Sequence, residues 1–135
     1  MFSHVTVGSN DLERAGRFYD AVLIPLGLRR RIVEPDGGPE ALCWVGARPY
    51  PRFYVYAPFD RQSASAGNGA MIAFIAPSQE AVDLAHAAGL ANGGGDEGAP
   101  GLREHYAPDY YGAYLRDPDG NKVHIVHRPA LLEWR

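Results

Sequence analysis

The chain has one cysteine, Cys43, in 135 residues. A lone thiol excludes an internal disulfide and a cysteine-built zinc site, and it fits a reducing cytoplasm. Its neighbours in Ala41-Leu42-Cys43-Trp44-Val45 read as a packed strand, with a catalytic thiol as the other reading. Long apolar runs are also missing. No window approaches the roughly 20 consecutive apolar residues of a membrane helix. The start, Met1-Phe2-Ser3-His4, shows no basic stretch followed by an apolar one, so no secretory signal and no membrane partner are expected. Positive charge is scarce too: the formal net charge is −3. That argues against nucleic acid as a partner. The one cationic run, Arg29-Arg30-Arg31, is soon followed by Glu34, Asp36 and Glu40, and reads as a solvated strand edge.

What is present is ordinary for a globular domain. Apolar residues make up 46% and charged residues 21%. Phe2 to Val7 alternates like a strand, with Val5 and Val7 on one face and His4 and Thr6 on the other. Asn10 reads as a helix cap, with Glu13 as its capping-box partner. Leu12, Ala15, Tyr19, Val22 and Leu26 follow at helical spacing, and Gly27 is a stop. Three strands are expected next, at 28–34, 41–46 and 53–57, separated by proline- and glycine-containing turns. The polar segment 60–68 reads as a linker between halves.

The second half repeats the order. A strand is expected over 69–76, and Ser78 caps a helix with Ala81, Val82, Ala85 and Ala88 facing inward. His86 is expected on the helix surface and His127 at an edge. The stretch after Asn92-Gly93-Gly94 reads as loop. Strands at 110–116 and 122–127 flank the turn Asp117-Pro118-Asp119-Gly120-Asn121. If Arg116 pairs with Lys122, Tyr114 lies opposite His124. The offset between His4 and Met71 gives an internal repeat of about 67 residues. It makes His4, Tyr56 (or Tyr54), Met71 and His124 equivalent positions. The modules are 1–60 and 69–128 of a single domain over 1–128, and the tail 129–135 carries no clear signal.

Two motifs in this order resemble the vicinal oxygen chelate superfamily of glyoxalases, bleomycin-resistance proteins and extradiol dioxygenases. One is the strand histidine His4 followed by Asn10-Asp11-Leu12-Glu13-Arg14-Ala15-Gly16-Arg17-Phe18-Tyr19 and Leu26-Gly27-Leu28. The other is Asp117-Pro118-Asp119-Gly120-Asn121-Lys122 with an ionisable residue at 124. The resemblance covers about residues 2 to 128. It implies an α+β fold of two βαβββ modules, whose curved, partly closed eight-stranded mixed sheet carries helices on its convex side. It also implies a homodimer and a divalent metal (Zn, Ni, Fe or Mn) on the concave face. His4 stands at the first ligand position, and His124 stands where relatives usually have Glu. Met71 replaces a common His, and Tyr54 or Tyr56 a glyoxalase Glu. A thioether and a neutral phenol are poor ligands for Mg²⁺ or Mn²⁺. His4 and His124 therefore read either as metal ligands or as hydrogen-bonded strand histidines, the latter with a Tyr114–His124 bond. Met71 reads as pocket wall or core.

A second cluster, Gly101-Leu102-Arg103-Glu104-His105-Tyr106-Ala107-Pro108-Asp109-Tyr110-Tyr111, lacks the ending of a phosphate loop. Here Arg103 suits an anion, His105 and Tyr114 suit proton transfer or positioning, and Tyr106 and Tyr111 suit a planar ligand. The other reading is a surface loop tied by Arg103–Glu104 or Arg103–Asp109 pairs, or a dimer contact. Two functions follow. One is a small-molecule enzyme of lyase or dioxygenase lineage acting through Arg103, His105 and Tyr114. The other is a non-catalytic ligand-binding or sequestering protein of the bleomycin-resistance type. For either, Tyr54, Tyr56, Met71, Tyr106 and Tyr111 are the expected ligand-binding residues, and the small-molecule ligand is expected to be anionic or aromatic.

Overall fold

A computed structural model describes residues 1–134. The first half runs β1 (His4–Gly8), α1 (Leu12–Leu23), a 3-10 turn (Ile24–Leu26), β2 (Arg29–Arg31), β3 (Ala41–Val45) and β4 (Arg52–Tyr56). The second runs β5 (Ile72–Ile75), α2 (Gln79–Ala91), β6 (Gly95–Leu102), β7 (Tyr111–Arg116) and β8 (Lys122–His127), and a 3-10 helix over Pro129–Trp134 follows. Each half makes a four-stranded sheet of one pattern. The orders are β1-β4-β3-β2 and β5-β8-β7-β6, with the first pair parallel and the others antiparallel. The expected pair of βαβββ modules is therefore present as a curved α+β fold.

Helical spacing buries Ala15, Phe18, Tyr19, Val22 and Leu23 of α1. They meet Trp44, Phe53 and Val55 of the first sheet and Phe74, Val82, Leu115, Val123 and Ile125 of the second half in one core. A cleft separates β1 from the start of β5. Val5, Thr6 and Val7 line it with Met71 and Ile72, and the Phe53 and Phe74 rings meet edge-on at 5.1 Å.

Several expectations need correction. The cap of α1 is Asp11, whose carboxylate accepts from Arg14 N at 3.0 Å. Asn10 is engaged elsewhere: its Oδ1 accepts from Ala64 N and its own N–H donates to Asp119. Glu13 pairs with Arg17 instead of closing a capping box. β5 begins only at Ile72, because Gly69 sits at φ 91° and Ala70 N closes a turn onto Gly67 O. The stretch expected as loop is the strand β6, which pairs with β7 through two register shifts. As the outermost strand it tolerates Pro100 and its glycines, which a central strand would not. His86 is buried, with Nε2 3.0 Å from Asp96 Oδ1. That hydrogen bond, with one from Gly98 N, holds the Asp96 carboxyl below its ordinary range.

The last hairpin turn fastens the halves together. Asp117 is buried and accepts four hydrogen bonds, from Tyr19 Oη (2.6 Å), Asn121 Nδ2, Asp119 N and Asn121 N. Asp119 accepts from Asn10 N and Arg14, and Asn121 Nδ2 donates to Gly8 O. Burial first, then the Asp117 charge, push the Tyr19 phenol well above its ordinary value, so it stays a donor. Tyr19→Phe removes the charge-assisted bond from a buried acceptor and is expected to cost about 2 kcal/mol. Urea unfolding checks this: the midpoint falls and the slope stays unchanged.

Candidate functional site

Strand alternation sorts the side chains. Val5, Val7, Phe53 and Val55 face the helices in sheet one, and Val123, Ile125, Ala113 and Leu115 do so in sheet two. Their alternates face the concave side. In sheet one these are His4, Thr6, Tyr54 and Tyr56, and in sheet two Ala73, Gly112, Tyr114, Lys122 and His124. Tyr111 falls on the helix side, where its phenol donates to Asp83 of α2 at 2.6 Å.

His124 is 1% exposed and fully engaged. Tyr114 lies opposite it, as the turn predicts, but stacks on the ring at 4.1 Å and 12° instead of bonding to it. Nδ1 is 2.9 Å from Ala113 O, and Nε2 is 2.7 Å from Tyr110 Oη. A carbonyl only accepts, so Nδ1 carries the proton and Nε2 accepts from the phenol. Gly112 makes the room: a Cβ there would stand 2.7 Å from His124 Cε1 and 3.1 Å from Ile125 O. Burial lowers the pKa of His124, nearby Arg103 and Lys122 add to this, and the Ala113 bond partly opposes it. Burial and Tyr106 push the Tyr114 phenol up to about 12.

The other residues singled out from sequence lie around this stack or away from it. Tyr106 meets Tyr110 at 5.0 Å, and exposed His105 meets Tyr106 at 4.1 Å. Arg103 donates to the carbonyls of Gly101 and Ala99 and lies over Tyr114. Asp109 pairs with Arg128 rather than with Arg103. On sheet one, exposed His4 has Nδ1 3.0 Å from Ser3 Oγ and meets Tyr54 edge-on at 5.6 Å. Tyr54 in turn lies 5.6 Å from Tyr56 and accepts from Arg52.

Open space lies elsewhere, along the C-terminal end of β1. A cavity of about 450 Å³ is lined by Thr6, Tyr56, Phe59, Asp60 and Ser63. A second, of about 220 Å³, is lined by Thr6, Met71, Asn121 and Lys122. Thr6 and Val7 line both, so the two cavities follow one another along β1 as a groove whose lining includes Tyr56 and Met71 from the sequence expectations and none of the histidines. Thr6 itself was not singled out as a site residue. Its only signal is that it shares a strand face with His4. Asp60 caps its own turn by accepting from Gln62 N. Among the described residues no group of three or more His, Cys, Asp and Glu side chains is placed to hold a metal ion.

The donor set does not fit the divalent ion that the resemblance implies. One imidazole has both nitrogens engaged, the other stands alone, and the equivalent positions supply a thioether and phenols.

The family described as Glyoxalase/Bleomycin resistance protein/Dioxygenase superfamily matches residues 1–125. A glyoxalase/bleomycin resistance protein from Albidiferax ferrireducens T118 is 44% identical, with TM-score 0.82 over 96% of this chain and 99% of that one. A glyoxalase-related enzyme from Fulvimarina pelagi superposes with TM-score 0.71 at 20% identity over 96% and 88%. A family enzyme from Burkholderia phytofirmans PsJN gives 0.69 at 20% over 93% and 96%. No curated protein matches.

The depressed pKa of His124 has a sign that can be tested. The fold favours the neutral ring, so its contribution is complete above the ordinary imidazole value near 6.5. It is lost as pH falls from there through the lower folded value. Stability measured by urea unfolding at stepped pH is expected to fall between neutral and mildly acid pH, and His124→Gln flattens that slope. Gly112→Ala is expected to cost about 1–3 kcal/mol by overpacking, and a circular-dichroism melt reads the loss.

Proposed function

The chain belongs to the glyoxalase/bleomycin resistance protein/dioxygenase superfamily, and on that premise we propose that it binds a small planar organic molecule in the groove along β1, without a resident metal. The observation that carries this reading is the division of the concave face. The imidazole of sheet two is closed off by Tyr110 and Tyr114. The open groove offers instead a phenol, a thioether, a hydroxyl and an ammonium, from Tyr56, Met71, Thr6 and Lys122. Such a lining holds a ligand by stacking and dispersion and orients it with a few polar contacts. It supplies no Lewis acid. Arg103, His105, Tyr106 and Tyr114 then serve to cover sheet two rather than to touch the ligand.

The catalytic reading keeps one support. His4 Nε2 has no hydrogen-bond partner among the described residues and shares a strand face with Thr6, so a single base beside the groove is available. Homodimerisation also belongs to the proposed reading. No helix among the described residues is long and apolar enough to cross a membrane.

Metal analysis of protein purified without chelator and dialysed against Zn²⁺, Ni²⁺ or Mn²⁺ tests the proposal. Well under one ion per chain is expected, unchanged in His4→Ala. A stoichiometric ion lost on His4→Ala would contradict it. Thr6→Trp, which fills the middle of the groove, is expected to weaken binding of a neutral planar probe such as 2-naphthamide by about tenfold or more, read from amide shifts around Tyr56 and Met71.

A further inference from the structure

The groove does not end at Tyr56. The cavity above Thr6 and Tyr56 shares Pro39, Ala57, Pro58, Phe59 and Ser63 with a larger one of about 690 Å³, which lies between the β2–β3 loop and the linker joining the halves. We infer that this outer chamber is the anion end of the ligand site, with Arg61 as the residue that selects an aromatic carboxylate over its neutral counterpart. The inference rests on the groove reading above and adds the class of ligand.

Three observations support it. First, the outer chamber is one-sided in charge: Arg61 lines it and no Asp or Glu does, and the one carboxylate of the cavity it joins, Asp60, accepts from Gln62 N. Elsewhere the guanidinium groups of Arg14, Arg17, Arg30, Arg116 and Arg128 are neutralised by carboxylates. Exposed Arg61, like exposed Arg31 and Arg48, makes no side-chain hydrogen bond or ion pair among the described residues, but of the three it alone lines this chamber. Second, neutral donors flank it. Among the described residues Gln62 and Ser63 make no side-chain hydrogen bond, and the Asn10 side chain makes only the bond that its Oδ1 accepts from Ala64 N, which leaves its Nδ2 without a partner there. A guanidinium with amide and hydroxyl donors around it is a carboxylate's complement. Third, Arg61 holds a costly backbone. Its φ is 62°, the one positive φ among non-glycine residues described, where its N–H closes a turn onto Pro58 O. Glycine takes that conformation without the Cβ penalty. An arginine there costs stability that its side chain must justify. The distribution also suits a two-part ligand: rings at Tyr56 and Phe59 for a planar body, and Arg61 for a charged end.

The strained backbone allows a test that separates folding from binding. Amide-shift titrations use 2-naphthoate and neutral 2-naphthamide on the wild type, Arg61→Gly and Arg61→Lys. The carboxylate is expected to bind about tenfold or more tighter than the amide and to shift Gln62 and Ser63 along with Thr6 and Tyr56. Arg61→Gly is expected to raise the melting temperature and to reduce the carboxylate to the affinity of the amide. Arg61→Lys retains part of the preference. Equal binding of both probes by the wild type, or a preference that survives in Arg61→Gly, would overturn the anion assignment and leave the groove reading standing. If neither probe moves Thr6, Tyr56 or Met71, the groove reading fails, and the anion assignment falls with it.

Discussion

The tip of the last hairpin holds this molecule in its working shape. Asp117 is buried beneath α1 and takes hydrogen bonds from Tyr19 and from its own turn, while Asn121 reaches Gly8 at the end of β1. A buried carboxylate is tolerable only when its lone pairs are met by donors. Here those donors come from both halves of the chain. The turn therefore fixes where β8 begins relative to where β1 ends. Lys122, the next residue, is thereby set at the groove beside Thr6 and Met71. The seam between two sheets that share no strand pairing is positioned by this turn as much as by the apolar core.

On either side of the seam, similar halves are finished differently. In the second half the β6–β7 loop folds back over the concave face, so that its Tyr110, backed by Tyr106, and Tyr114 of β7 enclose His124. In the first half the corresponding face carries His4, Tyr54 and Tyr56 without such a cover, and cavities open at its far end. A neutral, doubly bonded imidazole makes a rigid wall. A half-buried phenol and an exposed thioether beside a hydroxyl make a surface that a planar molecule can wet. The asymmetry moves the useful space from the middle of the curved sheet toward the linker, where the arginine with positive φ stands.

Much of this was legible in the residues. β8 was read to its ends, because a Pro-Asp-Gly turn followed by a short run rich in β-branched residues leaves one register, and that register put Tyr114 opposite His124. Ser78 was read as a cap because a serine before an apolar stripe has one local use. Other features carried no local signal. β6 is glycine- and proline-rich and forms because β7 offers it an edge. The inward turn of His86 was hidden because α2 is built of alanine, glycine and leucine, with Leu84 and Leu90 left exposed, so its two faces differ little. The Tyr110–His124 bond joins a loop to a strand, and no periodicity reports such a contact. Tyr111 went to the helix side because β7 starts with that residue and alternation then decides its face. Of the residues that line the cavities along β1, Tyr56 and Met71 stand at positions that repeat symmetry singles out, whereas Thr6 and Arg61 belong to residue types that signal nothing until the chain is folded.

The central claim is that the histidine of the second sheet is a structural wall, so that ligand recognition lies in the groove along β1. Long-range ¹H–¹⁵N correlation spectra of the His124 ring, recorded with and without equimolar Zn²⁺, address it most directly. The account predicts a protonated Nδ1 and an unprotonated Nε2 that accepts from Tyr110, with both resonances unmoved by the metal. An Nε2 resonance that shifts to a metal-bound position on adding Zn²⁺ would contradict it.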